Sequence, residues 1–198
     1  MSGSSMKTKI QLLTYLALLV FSGQAFAGPI TCGSAQREAT LDSAEACETG
    51  TGNPNDSDLQ GYWPGDTWND VGHLDGDVSD GFLSIDFGGG GFNSNNVDLE
   101  WWIDPSFWLE FGEAVITIHV GQGGGDPDHF AWLITEGAEH GTLVYDRLMG
   151  GGGGFSNIVL WGRGPGETVP EPGTLALLGG GLLLLGLRRR SLRGRSAK

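Results

Sequence analysis

The residues best suited to chemistry in this chain are oxygen ligands in one acidic loop. In Asp75-Gly76-Asp77-Val78-Ser79-Asp80-Gly81, the side chains of Asp75, Asp77 and Ser79 fall at alternate positions. A looping backbone uses that spacing to wrap Ca²⁺, a hard cation that takes about 6–8 oxygens. The EF-hand arrangement needs glycine in the sixth place and glutamate in the twelfth, whereas this chain has Asp80 and Asp86 there. An EF-hand is therefore not expected. A looser calcium loop stands as the alternative to ordinary solvated acidic turns, and Asn53–Asp58 is a second stretch of the same kind. No other cofactor is expected.

The remaining reactive side chains are poorly arranged for catalysis. His73, His119, His129 and His140 show neither His-x-His nor His-x-x-x-His spacing, so zinc ligation or general-base work is not expected of them. Ser34, Ser43 and Ser156 lack a Gly-x-Ser-x-Gly elbow, and the glycine runs lack the Gly-Lys-Ser/Thr of a phosphate cradle. A carboxylate pair for glycoside hydrolysis is defined by its separation in space. In a chain this rich in acids some pair always looks suitable, so abundance is no evidence. A secreted hydrolase is an alternative that the sequence does not favour, and the protein is not expected to be an enzyme.

Aromatic side chains give the other chemical option. Sugar-binding β-sandwiches stack pyranose rings on exposed tryptophans. Trp63, Trp68 and Trp102 have polar neighbours or lie opposite the apolar strand face, so they are the candidate platforms. Trp101, Trp132 and Trp161 are expected in the core.

The elements that must position these groups are strands. Leu83, Ile85 and Phe87 oppose Ser84 and Asp86, Val97, Leu99, Trp101 and Ile103 oppose Asp98 and Glu100, and Ala114, Ile116, Ile118 and Val120 oppose Val115, Thr117 and His119. Phe130-Trp132-Ile134, Leu143-Tyr145 and the run Phe155–Trp161 follow, separated by glycine-rich turns. Six strands without crossover helices predict an all-β fold, an antiparallel β-sandwich or jelly roll. A short helix is expected around Ala35–Ala46. The stretch Thr49–Asp80 reads as a long polar loop with one or two edge strands.

Composition narrows the partners. Of 198 residues, 36 are glycine, more than twice the usual ~7%. Between Gly28 and Thr168 there are 23 acidic residues against Arg37, Arg147 and Arg163, a balance of −20. Such a surface repels phosphate backbones, so nucleic acid is excluded as a partner.

Both ends are basic and apolar. Lys7 and Lys9 precede the run Ile10–Phe21, and Ala25-Phe26-Ala27 follows it. A basic start, a short apolar core and a small-x-small cleavage site define a secretory signal peptide over residues 1–27, cut after Ala27. Twelve helical residues rise only ~18 Å, short of ~30 Å of hydrocarbon. The Sec translocon and signal peptidase are the expected partners. In the oxidising exterior the two cysteines, Cys32 and Cys47, are expected to pair, against the alternatives of free thiols or a metal pair.

The C-terminal 169–198 runs in fixed order: Val169-Pro170-Glu171-Pro172, an uncharged Leu/Gly segment Gly173–Leu187, then Arg188-Arg189-Arg190 and further cations. The segment is expected to form a short transmembrane helix, with the cations cytoplasmic and residues 28–168 outside as one acidic domain. Pro-Glu-Pro, a short apolar helix and a terminal arginine cluster resemble the PEP-CTERM sorting signal. The resemblance implies a Gram-negative exported protein, held transiently in the inner membrane, cut by an exosortase near Pro170-Glu171-Pro172 and delivered to the cell surface or extracellular matrix. It also implies association with exopolysaccharide and biofilm.

The middle is similar, more loosely, to an unnamed group of exported domains carrying this same tail. The residues concerned are Trp102–Trp108, Ala114–Val120, Phe130–Leu133 and Phe155–Gly162, with a departure at Gly121-Gln122. That likeness implies a fold and no activity. The expected function is thus a non-catalytic surface or matrix protein, with a carbohydrate-binding module, calcium-dependent or not, as the alternative.

Overall fold

Strict alternation along one segment sets the geometry of the molecule. In strand β7 (Asn96–Ile103), Val97, Leu99, Trp101 and Ile103 are buried, while Asn96, Asp98, Glu100 and Trp102 face out. Side chains of a strand point to opposite faces in turn, so the segment builds one apolar and one wet surface. The computed structural model describes residues 28–121, 125–150 and 153–164. The signal peptide, the Pro-Glu-Pro motif, the apolar segment and the arginine cluster lie outside the described residues.

The other described elements, in chain order, begin with β1 (Ile30–Gly33), β2 (Arg37–Leu41), β3 (Ala44–Gly50) and helix α1 (Asp56–Tyr62). Next come β4 (Asn69–Leu74), β5 (Ser79–Asp80) and β6 (Leu83–Gly89), which precede β7. A one-turn helix α2 (Phe107–Glu110), β8 (Glu113–His119), β9 (His129–Ile134), β10 (His140–Arg147) and β11 (Asn157–Arg163) complete the set. They form two antiparallel sheets, β1-β2-β10-β7-β6-β5 and β3-β9-β8-β11-β4. The inward faces of both sheets meet in a single apolar cluster that includes Trp101, Trp132, Phe130, Tyr145, Leu99 and Ile116. Phe130 and Trp132 stack with ring centroids 5.8 Å apart. The architecture is therefore all-β and sandwich-like.

The two sheets differ on their outer faces. The six-stranded sheet leaves its outer face to solvent. The five-stranded sheet is covered on both sides, so that β11 is buried at every position. Its outer face carries Val115, Ala131, Val159 and Trp161, packed against Leu59 of α1, Trp68, Tyr62 and Trp63. Helix α1 starts with a capping box in which the Asn55 side chain accepts from the Ser57 and Asp58 backbone N–H groups. Asp58 Oδ2 in turn accepts from the Asn55 backbone N–H at 3.1 Å.

Two expectations are corrected here. Ala35–Ala46 is not helical: Arg37, Ala39 and Leu41 of β2 are buried alternately, and Asp42-Ser43 turns the chain from one sheet into the other. Alanine and glutamate favour helix by less than about 1 kcal/mol per residue, which burial at period two outweighs. The stretch 49–80 supplies the two edge strands β4 and β5, and also α1, which the polar-loop reading did not contain.

Cys32 on β1 and Cys47 on β3 form a disulfide, with Cα atoms 6.3 Å apart. It ties an edge of one sheet to an edge of the other, and Trp132 Nε1 reinforces the seam by donating to the Ile30 carbonyl at 3.2 Å. Among the described residues no helix is long and apolar enough to cross a membrane.

Candidate functional site

Where β7 leaves the sheet, its last outward side chain is Trp102. In the register of the sheet Trp102 faces Ser84 of β6 on one side and His140 of β10 on the other. Directly opposed residues lie about 5 Å apart at Cβ, so a hydroxyl and an imidazole flank the indole. Trp102 is 38% exposed, the only tryptophan among the large exposed hydrophobic side chains of the described residues. It lines an open depression of about 350 Å³ together with Ser79, Phe82, Asp104, Glu139 and His140.

Backbone bonds fix the rim. Ile103 N–H donates to the Glu139 carbonyl at 2.8 Å, and Asp104 N–H donates to the Phe82 carbonyl at 2.9 Å. Phe82 is wedged edge-on against Phe107 and Phe111, with centroids 5.8 and 6.1 Å away. Gly81 has φ +54, and a Cβ there would run into the Val71 carbonyl oxygen, so only glycine allows this tight approach of β5–β6 to β4. Asp104 Oδ1 accepts from the Ser106 hydroxyl at 2.6 Å and from its backbone N–H at 2.8 Å. Those bonds, the hydroxyl's first, hold the Asp104 carboxyl below its ordinary range and keep it ionised.

The other predicted site residues are scattered. Trp68 is a correction as a ligand platform: it is only 2% exposed, and the Arg163 guanidinium lies over its ring at 4.2 Å. Trp63 is half-buried, edge-on to Tyr62 and packed with α1 on the five-stranded sheet. It lies on the opposite sheet from Trp102, so the three tryptophans do not form one surface. Asp75 and Asp77 are exposed, whereas Ser79 is held in β5, opposite Ser84. Among the described residues no three His, Cys, Asp or Glu side chains converge as a metal site.

A second polar cluster escaped the sequence reading. Arg37, 1% exposed, donates from Nη1 to the Pro127 carbonyl at 2.8 Å and to Asp128 Oδ1 at 3.1 Å. Asp128 Oδ2 accepts from the Gly52 backbone N–H at 2.9 Å. His129, also buried, lies 3.0 Å from the Tyr62 hydroxyl and, in register, opposite His119. Burial lowers the His119 pKa from its ordinary value, a shift that nearby Asp128 opposes. Burial raises the Tyr62 hydroxyl, with the Asp58 charge adding to the effect. Asp128 and His129 both bond to Gly52, so these two residues tie down the loop after β3.

The described residues form an all-β domain of two antiparallel sheets with an open depression around Trp102. Its tail says more. Residues 168–190 match the PEP-CTERM protein-sorting motif, so the chain carries that motif directly after its last described strand. The motif implies an exported protein sorted by an exosortase. No curated protein and no solved structure matches the chain, so the likeness of the middle region to other exported domains has no relative behind it.

Proposed function

We infer that this is a non-catalytic component of the cell surface or extracellular matrix, released from a transient inner-membrane anchor by an exosortase and associated with extracellular polysaccharide. The observation that carries the reading is the sorting motif at residues 168–190, placed immediately after a disulfide-tied acidic domain. The signal peptide, cut after Ala27, brings the chain to the Sec machinery. The apolar segment Gly173–Leu187 then holds it, and the arginines keep the tail on the cytoplasmic side. Pro170 and Pro172 bar helix continuation and pre-set an extended backbone for the peptidase.

The test is release of the protein into the medium. Pro170→Ala together with Pro172→Ala should leave the chain in the membrane fraction, with its arginine-bearing terminus intact by mass spectrometry. Normal release of the double variant would overturn the sorting reading.

A further inference from the structure

The Trp102 depression combines three features that together specify a ligand. The first is an aromatic ring open to solvent on a sheet face whose other outward side chains, Val144 apart, are mostly polar. The second is a border of hydrogen-bonding groups at several heights: Ser84 and His140 beside the ring, and Asp104 and Glu139 at the rim. The third is the sign of the surrounding charge. Glu100 shares the outward face of β7 with Trp102, and Asp86 lies directly opposite Glu100.

The positive charges of the described residues lie elsewhere. Arg37 and Arg163 are buried in contacts with Asp128 and Glu113. Arg147 ends β10 seven residues from His140, ~23 Å along the strand. An anionic ligand at the depression would therefore meet nearby carboxylates and none of the described arginines.

We propose that the depression around Trp102 binds a non-anionic pyranose unit, neutral or amine-bearing, of an extracellular glycan. The axial hydrogens of the sugar lie on the indole, and its hydroxyl or ammonium groups donate to the Asp104 and Glu139 carboxylates. Ionised carboxylates accept strongly and cannot donate, which suits hydroxyl and ammonium donors and rejects uronate. A volume of about 350 Å³ is at the small end of ligand sites, room for one or two sugar rings rather than a long chain. The fixed rim means that little ordering is lost on binding. This proposal specifies the polysaccharide association inferred above. Its test is separate from the release assay, so either can fail while the other stands.

The full-length chain in detergent micelles is titrated calorimetrically with cellohexaose, chitohexaose, a fully deacetylated chitosan hexamer and an oligoglucuronate of equal length. At least one of the first three should bind, with the oligoglucuronate at least tenfold weaker. Trp102→Ala should weaken binding at least tenfold without moving the melting temperature, Trp102→Phe should retain part of the affinity, and Glu139→Gln should weaken the amine-bearing hexamer most. Absence of binding by all three non-anionic hexamers at millimolar concentration overturns the proposal, as does tightest binding of the oligoglucuronate. Affinity for the chitosan hexamer that survives Trp102→Ala unchanged also overturns it, because attraction to the acidic surface alone would then explain the binding.

Discussion

The guanidinium of Arg163 lies 4.2 Å above the Trp68 ring while its Nε donates to Glu113 Oε2 at 2.5 Å. One side chain thus joins the last residue of β11, the first residue of β8 and the segment that follows α1. Stacked guanidinium–indole contacts contribute ~0.5–2 kcal/mol, more where water is excluded. Arg163→Met should lower the unfolding free energy by about 1–3 kcal/mol in urea. Glu113→Gln should cost under ~1 kcal/mol, because that carboxylate is half exposed. Equal losses for the two variants would show that the ion pair, and not the ring contact, matters.

The Arg37–Asp128 pair should respond differently. Arg37 is almost wholly enclosed, and Asp128 is its only anionic partner among the described contacts. Removing one member of an enclosed pair leaves a charge without compensation, at a cost of about 3–5 kcal/mol. Asp128→Asn should approach that loss, and a double variant with Arg37→Met should recover part of it. Additive losses in the double-mutant cycle would count against direct coupling.

The Cys32–Cys47 bond crosses from sheet to sheet. Closing a loop of sequence separation 15 restricts the unfolded chain by ~3 kcal/mol on the chain-entropy account. Cys32→Ser with Cys47→Ser should lower stability by roughly that amount. Thiol titration of the denatured protein should find no free thiol before reduction and two after it.

Acidity should act in two separate windows. His119 has its folded pKa depressed by burial, so the unfolded state takes up a proton there first. Stability is full above the ordinary histidine value of 6.5 and declines as pH falls below it, until the folded pKa is reached. Asp104 begins to matter only lower, as pH falls below the ordinary 3.8 toward its own depressed value. His119→Gln should flatten the fall in melting temperature just below pH 6.5 and leave the more acidic limb unchanged. An unchanged slope in the upper window would exclude His119 as its source.

The central strands were legible because burial left its mark on each: β6, β7 and β10 meet the core on one face and alternate, while β8, β9 and β11 are covered on both faces and carry nearly continuous apolar runs. Helix α1 was overlooked because its surroundings are acidic and glycine-bearing. Its signal was nevertheless present, in Asn55 and Asp58 at capping-box spacing and in Leu59, Tyr62 and Trp63 at helical intervals. That omission also explains Trp68, whose polar neighbours suggest exposure until α1 and Arg163 cover it. The Trp102 depression was legible only in its tryptophan. Its walls come from residues 79–84, 102–105 and 139–140, which are joined by sheet register and not by nearness in the chain.

Strand β11 is the last described strand yet interior in its sheet, between β8 and β4. Until residue 163 has emerged, β8 and β4 have no common neighbour, and β4 lacks its partner in the sheet. The polypeptide therefore has reason to stay unconsolidated while it threads outward, and to lock only when nearly all of it has passed. The sorting motif begins at residue 168, five residues after β11 ends, so the last strand the sandwich needs directly precedes it.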